Sequence, residues 1–375
     1  MKILFDPKIF ELQIFGGISL YITKLLESFS EDEEINFNLP IIYSDNYYLK
    51  ELKYVKTFNI KPEDFPFKKQ LIKFLCTQNS RKITKALKHQ NFDIFHPTYF
   101  DKYFRKHIKN KPYVLTVHDM TNEAVPEFFV FDKWANETIQ IKKELIEKAS
   151  RIIAISQNTK KDILKFCNVD EEKIDLIYHG TPFNKIEKVE KIETLPEKYI
   201  LFIGQRAKYK NFYNFVSAIA EILKEDKELY LVVTGGSEFN KNEIKFIKEL
   251  GIRDKIVKLP VQSHEQLISY YKQAICFVFP SVYEGFGFPL LETFQCECPL
   301  VCSNTSSFPE IAGNGAMYFD PYSKQEIKEA VTQVVYNNNL RQELISKGNE
   351  RLKNFSWIKT AEKTKKTYKK VLDDG

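Results

Sequence analysis

The chain has 375 residues, 43% of them hydrophobic, enough for two ordinary domains with a core each. A net charge of +6 admits an anionic ligand or an anionic membrane surface without identifying either. No apolar run approaches the length of a membrane-crossing helix, and Met1-Lys2-Ile3-Leu4-Phe5-Asp6 meets an acid too early for a signal peptide, so a cytoplasmic protein is expected, with any membrane contact peripheral.

Ile3-Leu4-Phe5 reads as the first strand. Gly16-Gly17 opens a helix on which Ile18, Ile22, Leu25, Leu26 and Phe29 share one face. Ile41-Ile42-Tyr43, Ile94-Phe95, Val114-Leu115-Thr116-Val117 and Ile152-Ile153-Ala154-Ile155 read as further strands, and Ser156 caps a helix running to about Cys167. Strands alternating with helices predict an α/β, parallel, doubly wound sheet. Within this half, residues 65–88 mix lysines and arginines with large apolar side chains. That segment reads either as an ordinary surface helix or as one lying on an anionic membrane.

Around Tyr178-His179-Gly180-Thr181-Pro182 the alternation breaks, and the charged stretch 184–198 reads as a linker. It resumes with a strand at Ile200-Leu201-Phe202-Ile203 and a helical stripe of Phe212, Phe215, Val216, Ile219, Ala220 and Leu223. Leu231-Val232-Val233, Ile256-Val257 and Ile275-Cys276-Phe277-Val278-Phe279 read as strands of a second doubly wound domain. The tail from Phe355-Ser356-Trp357 to Leu372 is helical and lysine-rich. Cys296, Cys298 and Cys302 cluster, but without paired C-x2-C spacing or a nearby histidine they read as buried reduced thiols, not metal ligands.

The most informative stretch is Glu284-Gly285-Phe286-Gly287-Phe288-Pro289-Leu290-Leu291-Glu292, directly after the last of these strands. Two glycines punctuate a loop, and Pro289 suits the first position of a helix, where its missing N–H costs nothing. Amides at a helix start lack intrahelical partners and form an anion site. Glu284 stands at the mouth of the loop and Glu292 inside the helix, and carboxylates are good acceptors for sugar hydroxyls. Amides for phosphate flanked by carboxylates for hydroxyls would suit a nucleoside-diphosphate sugar.

Glu284 and Glu292 match an E-x7-E element, and Ser303-Asn304-Thr305-Ser306-Ser307-Phe308-Pro309-Glu310 is also similar to the same family's pattern. On these residues the chain resembles the retaining glycosyltransferases of the GT-B fold, family 4. The resemblance implies two Rossmann-like domains facing across a cleft, at 1–183 on the acceptor side and 184–354 on the nucleotide-sugar side. A last helix, 355–375, would cross back to the N-terminal domain at Trp357.

The resemblance also implies roles. Gly16-Gly17 looks like the family's N-terminal glycine loop, where backbone approaches the pyrophosphate closely, although Leu20 replaces the arginine that often follows. A dinucleotide G-x-G-x-x-G is absent, against a dehydrogenase. His118 ends a strand where the family places a histidine against the donor sugar. There it would bond a sugar hydroxyl or stabilise charge at the anomeric carbon, with Asp119 either tuning it or capping a helix. Arg206 and Lys210, in Gly204-Gln205-Arg206-Ala207-Lys208-Tyr209-Lys210-Asn211, match a basic pair that holds the donor diphosphate, and Lys208 is the solvated spare. Gly235 would border the nucleotide and Val261 would meet the base through main chain. Phe286, Gly287, Phe288, Leu290 and Leu291 complete the donor set, with Glu284 on the sugar and Glu292 on the ribose diol. Glu297 stands where the family usually has glycine, a swap without an explanation in the sequence.

The implied reaction is retaining transfer of a hexosyl group to a hydroxyl of a glycan or lipid-linked glycan, in surface-polysaccharide assembly. The donor leans to GDP-mannose, and His118, Glu284, Arg206 and Lys210 are the expected catalytic residues. No Asp-x-Asp occurs, so no metal or other cofactor is expected, and no nucleic-acid-binding module is recognised. Two other classes remain. A sugar-nucleotide epimerase on the same fold would need acid and base carboxylates around the sugar's second carbon and no acceptor. A binding module would bind without turnover.

Overall fold

The computed structural model describes residues 1–52, 55, 57, 67–183, 186, 192–206 and 208–373. Parts of two expected segments, 65–66 of the basic stretch and 184, 185 and 187–191 of the linker, lie outside the described residues. The chain divides into two units, one of 1–123, 129–180 and 356–375, the other of 124–128 and 181–355. The change of unit falls at Gly180 and Thr181, and the short stretch Ala124–Phe128 groups with the second unit.

The first unit holds β1 (Lys2–Phe5), β2 (Asn36–Asn38), β3 (Ile94–His96), β4 (Val114–Val117), β5 (Arg151–Ala154) and β6 (Ile174–Leu176). They pair in parallel as β2-β1-β3 and β4-β5-β6, and a single bridge from Phe95 to Tyr113 joins the two groups. Parallel neighbours need helical crossovers, which cover both faces of the sheet. Consecutive strand residues accordingly feed opposite cores: Ile3, Phe5 and Ile153 pack on one side, Leu4, Ile152 and Ala154 on the other. The helix opened by the glycine pair spans Gly17–Ser30 and buries Ile22, Leu25, Leu26 and Phe29. The last helix, Trp357–Asp373, belongs to this unit, where Tyr368 lies against Phe29 with ring centroids 5.9 Å apart.

The second strand differs from expectation. It lies at Asn36–Asn38, and 41–43 form no strand, with Tyr43 making an isolated bridge. The amides of Ile42 and Tyr43 both donate to Asn79 Oδ1, at 2.7 and 3.2 Å, and Asn79 donates back to the Tyr43 carbonyl at 2.9 Å. Ile41 and Tyr43 are buried all the same, so the apolar run marked core correctly and overstated a single bridge as a strand.

The second unit holds β7 (Lys198–Ile203), β8 (Leu229–Thr234), β9 (Ile256–Leu259), β10 (Cys276–Phe279), β11 (Leu300–Ser303) and β12 (Ala316–Phe319). All are parallel, in the order β12-β11-β10-β7-β8-β9. The chain builds outwards from β7 in one direction and then from β10 in the other. The loops leaving these two neighbours at their carboxyl ends diverge, and ligands of open α/β sheets bind at this switch point. The helix Phe212–Glu225 carries the expected stripe, with Phe212, Phe215, Val216, Ile219, Ala220 and Leu223 all buried against the sheet.

Cys167, Cys276, Cys296, Cys298 and Cys302 are free and buried, and Cys76 is half-buried. Among the described residues, no helix is long and apolar enough to cross a membrane.

Candidate active site at the switch point of the second unit

The loop after β10 is braced from both sides. Thr305 Oγ1 donates to the Val282 carbonyl at 2.7 Å, and the Glu284 amide donates to Ser306 Oγ at 3.1 Å. Ser307 Oγ lies 2.9 Å from the Glu284 carbonyl and 3.0 Å from that of Phe286. From the β7 side, the Val282 amide donates to the Tyr209 carbonyl at 2.7 Å. The hydroxyl-rich stretch after β11 thus fixes the backbone on which Glu284 stands. Ser306 takes a left-handed φ of 51° to do so, a conformation a non-glycine residue seldom adopts. The Glu284 amide is thereby committed to Ser306.

The helix that follows spans Phe288–Gln295, with Pro289 in its first turn. Gly287 is required twice over. Its φ is +93°, and a Cβ there would lie 3.0 Å from Leu290 Cδ1 and 3.3 Å from Phe308 Cε1. Leu290 and Leu291 are 0% exposed and Phe286 is buried. These side chains belong to the core, so any contact they make with a donor runs through their backbone, while Phe288 is half-buried at the helix start.

Lys210 follows β7 and reaches this loop. Its Nζ lies 2.5 Å from Glu284 Oε1 and 5.0 Å from the centroid of the Tyr209 ring. The two expected catalytic groups therefore form an ion pair, only 23% and 16% exposed at their side chains. Glu292 is half-buried in the helix, and Tyr271, from the helix His264–Gln273, donates its hydroxyl to Glu292 Oε2 at 2.8 Å. Burial pushes the Glu292 carboxyl up to about 7, and the Tyr271 hydrogen bond pulls the other way.

Arg206 does not join Lys210. Its Nε donates to Glu243 Oε1 at 2.9 Å, and Nη2 donates to the carbonyls of Ser237 and Glu238 at 2.7 and 3.0 Å. The guanidinium also stacks 4.7 Å from the Phe239 ring centroid, and the Arg206 and Glu243 side chains are 3% and 5% exposed. The expected forked phosphate contact is thus replaced by a fork on a buried carboxylate and two carbonyls. Arg206 holds the 235–243 loop, and Lys210 is the cation of the pair that pairs with Glu284.

Gly235 and Gly236 end β8 with φ of +72° and +65°. A Cβ on Gly235 would lie 3.0 Å from the Gly204 amide nitrogen, so the pair is explained by close packing of two adjacent strand ends. Val261 follows β9 and is 36% exposed, accessible to a ligand.

Glu297 also gains an account. The helix Phe288–Gln295 ends in a Schellman arrangement, with the Glu297 amide donating to the Phe294 carbonyl and the Cys298 amide to that of Thr293, both at 3.0 Å. The residue at Glu297 must be left-handed, and its φ is +55°. That is the reason glycine suits the position.

In the first unit, His118 follows β4 and is 7% exposed, packed edge-on to Tyr21 at 5.5 Å. Burial drives its imidazole down to about 4, against the opposing pull of the Asp119 carboxylate, so the ring is neutral at pH 7. Asp119 accepts from the Thr121 amide at 2.9 Å and so caps the short helix Thr121–Ala124. The buried Lys142 ties this turn down through the Asp119 carbonyl at 3.1 Å and Glu123 at 3.0 Å. At Gly16 and Gly17 the helix start is occupied by the protein itself: Gln13 Oε1 accepts from the Ser19 amide at 3.1 Å. A network missed by sequence reasoning lies nearby, with His96 between the Tyr368 hydroxyl at 2.5 Å and Thr116 Oγ1 at 2.9 Å. Thr116 in turn meets the Tyr21 hydroxyl at 3.1 Å.

Residues 40–185 match the sequence model described as Glycosyltransferase Family 4, and residues 184–351 match that of Glycosyl transferases group 1. The chain is similar to the O-antigen chain mannosyltransferase RfbU of Salmonella typhimurium, 27% identical over 59% of this chain and 60% of that one. It is similar to O-antigen chain mannosyltransferase B of Escherichia coli, 27% identical over 68% of this chain and 70% of that one. Its fold is similar to that of the sucrose-phosphate synthase from Thermosynechococcus elongatus, with a TM-score of 0.74 at 17% identity over the full length of both.

Proposed function

The chain belongs to the family 4, group 1 glycosyltransferases of the GT-B fold, and we propose that it moves a hexosyl group, mannosyl first, from a nucleoside-diphosphate sugar to a hydroxyl of a glycan or lipid-linked glycan. Transfer proceeds with retention and without a metal ion, in surface-polysaccharide assembly. The observation that carries this reading is the Lys210–Glu284 ion pair at the switch point, with Glu292 in the helix that follows. The donor is GDP-mannose, its mannosyl group supported by the two mannosyltransferase relatives at 27% identity. No observation favours the epimerase reading.

The chemistry asks for stabilisation of a departing diphosphate and of an oxocarbenium-like centre. Lys210 supplies positive charge for the diphosphate, and Glu284 accepts from sugar hydroxyls. Binding a donor divides the Lys210 charge between Glu284 and the phosphate. Glu292 accepts from the ribose diol. His118, neutral at pH 7, offers a hydrogen bond to a sugar hydroxyl and no full charge. The leaving phosphate takes the acceptor's proton.

Contact with an anionic membrane is part of the same proposal, through the helix Lys68–His89. Its 22 residues carry seven lysines and arginines and no carboxylate, and Phe67 and Phe74 beside them are 65% and 56% exposed.

A panel of nucleoside-diphosphate sugars tests the function, read as slow donor hydrolysis and as thermal stabilisation. GDP-mannose is expected to give both. A second sugar nucleotide giving both in its place overturns the donor assignment, and a panel with no response overturns the transferase reading of the site.

A further inference from the structure

Glu292 is the carboxylate that this reading assigns to the ribose diol, and the inference rests on that assignment. A carboxylate on a flexible side chain must be held to serve two hydroxyls. Tyr271 is 0% exposed, its ring packed edge-on to Phe277 of β10 at 5.3 Å, so the position of its hydroxyl is set by the core. That hydroxyl donates to Glu292 Oε2 at 2.8 Å. Glu292 Oε1 has no hydrogen bond among the described residues.

We propose that Tyr271 is the positioning residue of the nucleotide site: its hydroxyl holds Glu292 by one oxygen, keeps the group a carboxylate, and leaves the other oxygen for the ribose of a nucleoside diphosphate. A phenol donates to an ionised carboxylate better than to a neutral carboxyl, so the bond favours the charged, accepting form. Burial works against that form and places the Glu292 titration near neutrality. The titratable groups facing the pair are the Cys296 thiol, past the end of the Glu292 helix, and the Cys298 thiol, which faces Tyr271. Burial pushes both thiols up, so they stay neutral. Tyr271 itself is pushed well above its ordinary range, first by burial and then by Glu292, and remains a donor throughout.

The test is calorimetric binding of GDP and of UDP to the full chain across about pH 5.5 to 9, comparing wild type, Tyr271→Phe and Glu292→Gln. The ligand's own terminal phosphate titrates identically for all three proteins, so differences between profiles belong to the protein. Wild type is expected to lose affinity as pH falls through neutrality, a step that Glu292→Gln lacks. Tyr271→Phe is expected to keep the step and move it up by about one pH unit. It should bind nearly as wild type at the alkaline end, about fivefold more weakly at pH 7 and towards tenfold more weakly below it. A merely structural tyrosine would lower affinity at every pH without moving the step. The inference falls alone if Glu292→Gln abolishes the step while Tyr271→Phe leaves it in place. If Glu292→Gln binds like wild type at every pH, the ribose assignment is wrong and the inference falls with it. Thermal melts of both variants in the absence of ligand show that the folded protein is being compared.

Discussion

Lys210 Nζ lies 2.5 Å from Glu284 Oε1, so the cation proposed for the donor diphosphate and the carboxylate proposed for the donor sugar neutralise each other across 74 residues of sequence. The loop that carries Glu284 is fixed at its backbone by Ser306 and Ser307, and the pair is mostly shielded from water. A charge held this way needs little reorganisation when negative charge grows on a leaving phosphate.

Lys210→Ala is expected to lower kcat at saturating donor by about a hundred- to a thousandfold, the loss of roughly 2.7–4 kcal/mol typical of one preorganised donor. Lys208→Ala, on the same loop, is expected to change it little. Because Lys210 and Glu284 touch, Lys210→Ala combined with Glu284→Gln should cost less than the two single effects added. Steady-state kinetics with a defined donor checks all three, and a rise in KM with kcat intact would put Lys210 outside the chemical step.

Arg206→Ala is expected to act on stability first. It strands Glu243 in the interior and unties the Ser237 and Glu238 carbonyls. Breaking a buried pair from one side typically costs about 3–5 kcal/mol. The measurement is the denaturant midpoint of Arg206→Ala and Glu243→Gln. Wild-type midpoints together with lost turnover would return Arg206 to the diphosphate.

The His118 environment predicts a pH signature. Its folded value near 4 lies below the ordinary 6.5. Above pH 6.5 the ring is neutral folded and unfolded, and contributes nothing to pH dependence. As pH falls from about 6.5 towards 4, the unfolded chain takes up a proton that the folded one refuses, and stability declines by up to about 1.4 kcal/mol per pH unit for this one group. Glu292, pushed up to about 7, and the buried His96 and His179 also titrate, so the comparison is wild type against His118→Gln. The stability difference between the two should be flat above pH 6.5 and slope below it. A constant difference would mean that the ring takes up its proton at the same pH folded as unfolded.

Glu297→Gly is expected to raise stability by about 1 kcal/mol, because an L side chain in the left-handed conformation at a helix end costs roughly that much and glycine pays nothing for it. Equilibrium unfolding of the two proteins decides it. An unchanged or lowered stability would show that the Glu297 side chain contributes more than its backbone strain removes.

Full transferase activity is expected in excess chelator, since Lys210 supplies positive charge at the site and the sequence carries no Asp-x-Asp. Activity lost on removing divalent ions and recovered on adding them back would overturn this.

The sequence by itself determined what depends on near neighbours. Period-two and helical apolar patterns located eight of the twelve strands described and the helix stripes, because burial of one face is written into residue spacing. The glycines and Pro289 of the 284–292 stretch marked a loop and a helix start, because left-handed φ and a missing N–H are local demands. The family resemblance rested on the same short stretches. Tertiary structure decided whatever depends on which distant loops leave adjacent strands. Arg206 and Lys210 are four residues apart and looked interchangeable as phosphate ligands. The order of β7, β8 and β10 sends one to Glu243 and the other to Glu284. Residues 41–43 looked like a strand, but Asn79, 36 residues away at its nearest, takes the amides of Ile42 and Tyr43. The Tyr271 bond to Glu292 and the serine brace on the Glu284 backbone join groups 21 to 23 residues apart. Such pairs leave no periodic trace in a sequence, because a hydrogen bond specifies distance and angle in space, and the parallel crossovers that set both are chosen by the packing of the whole sheet.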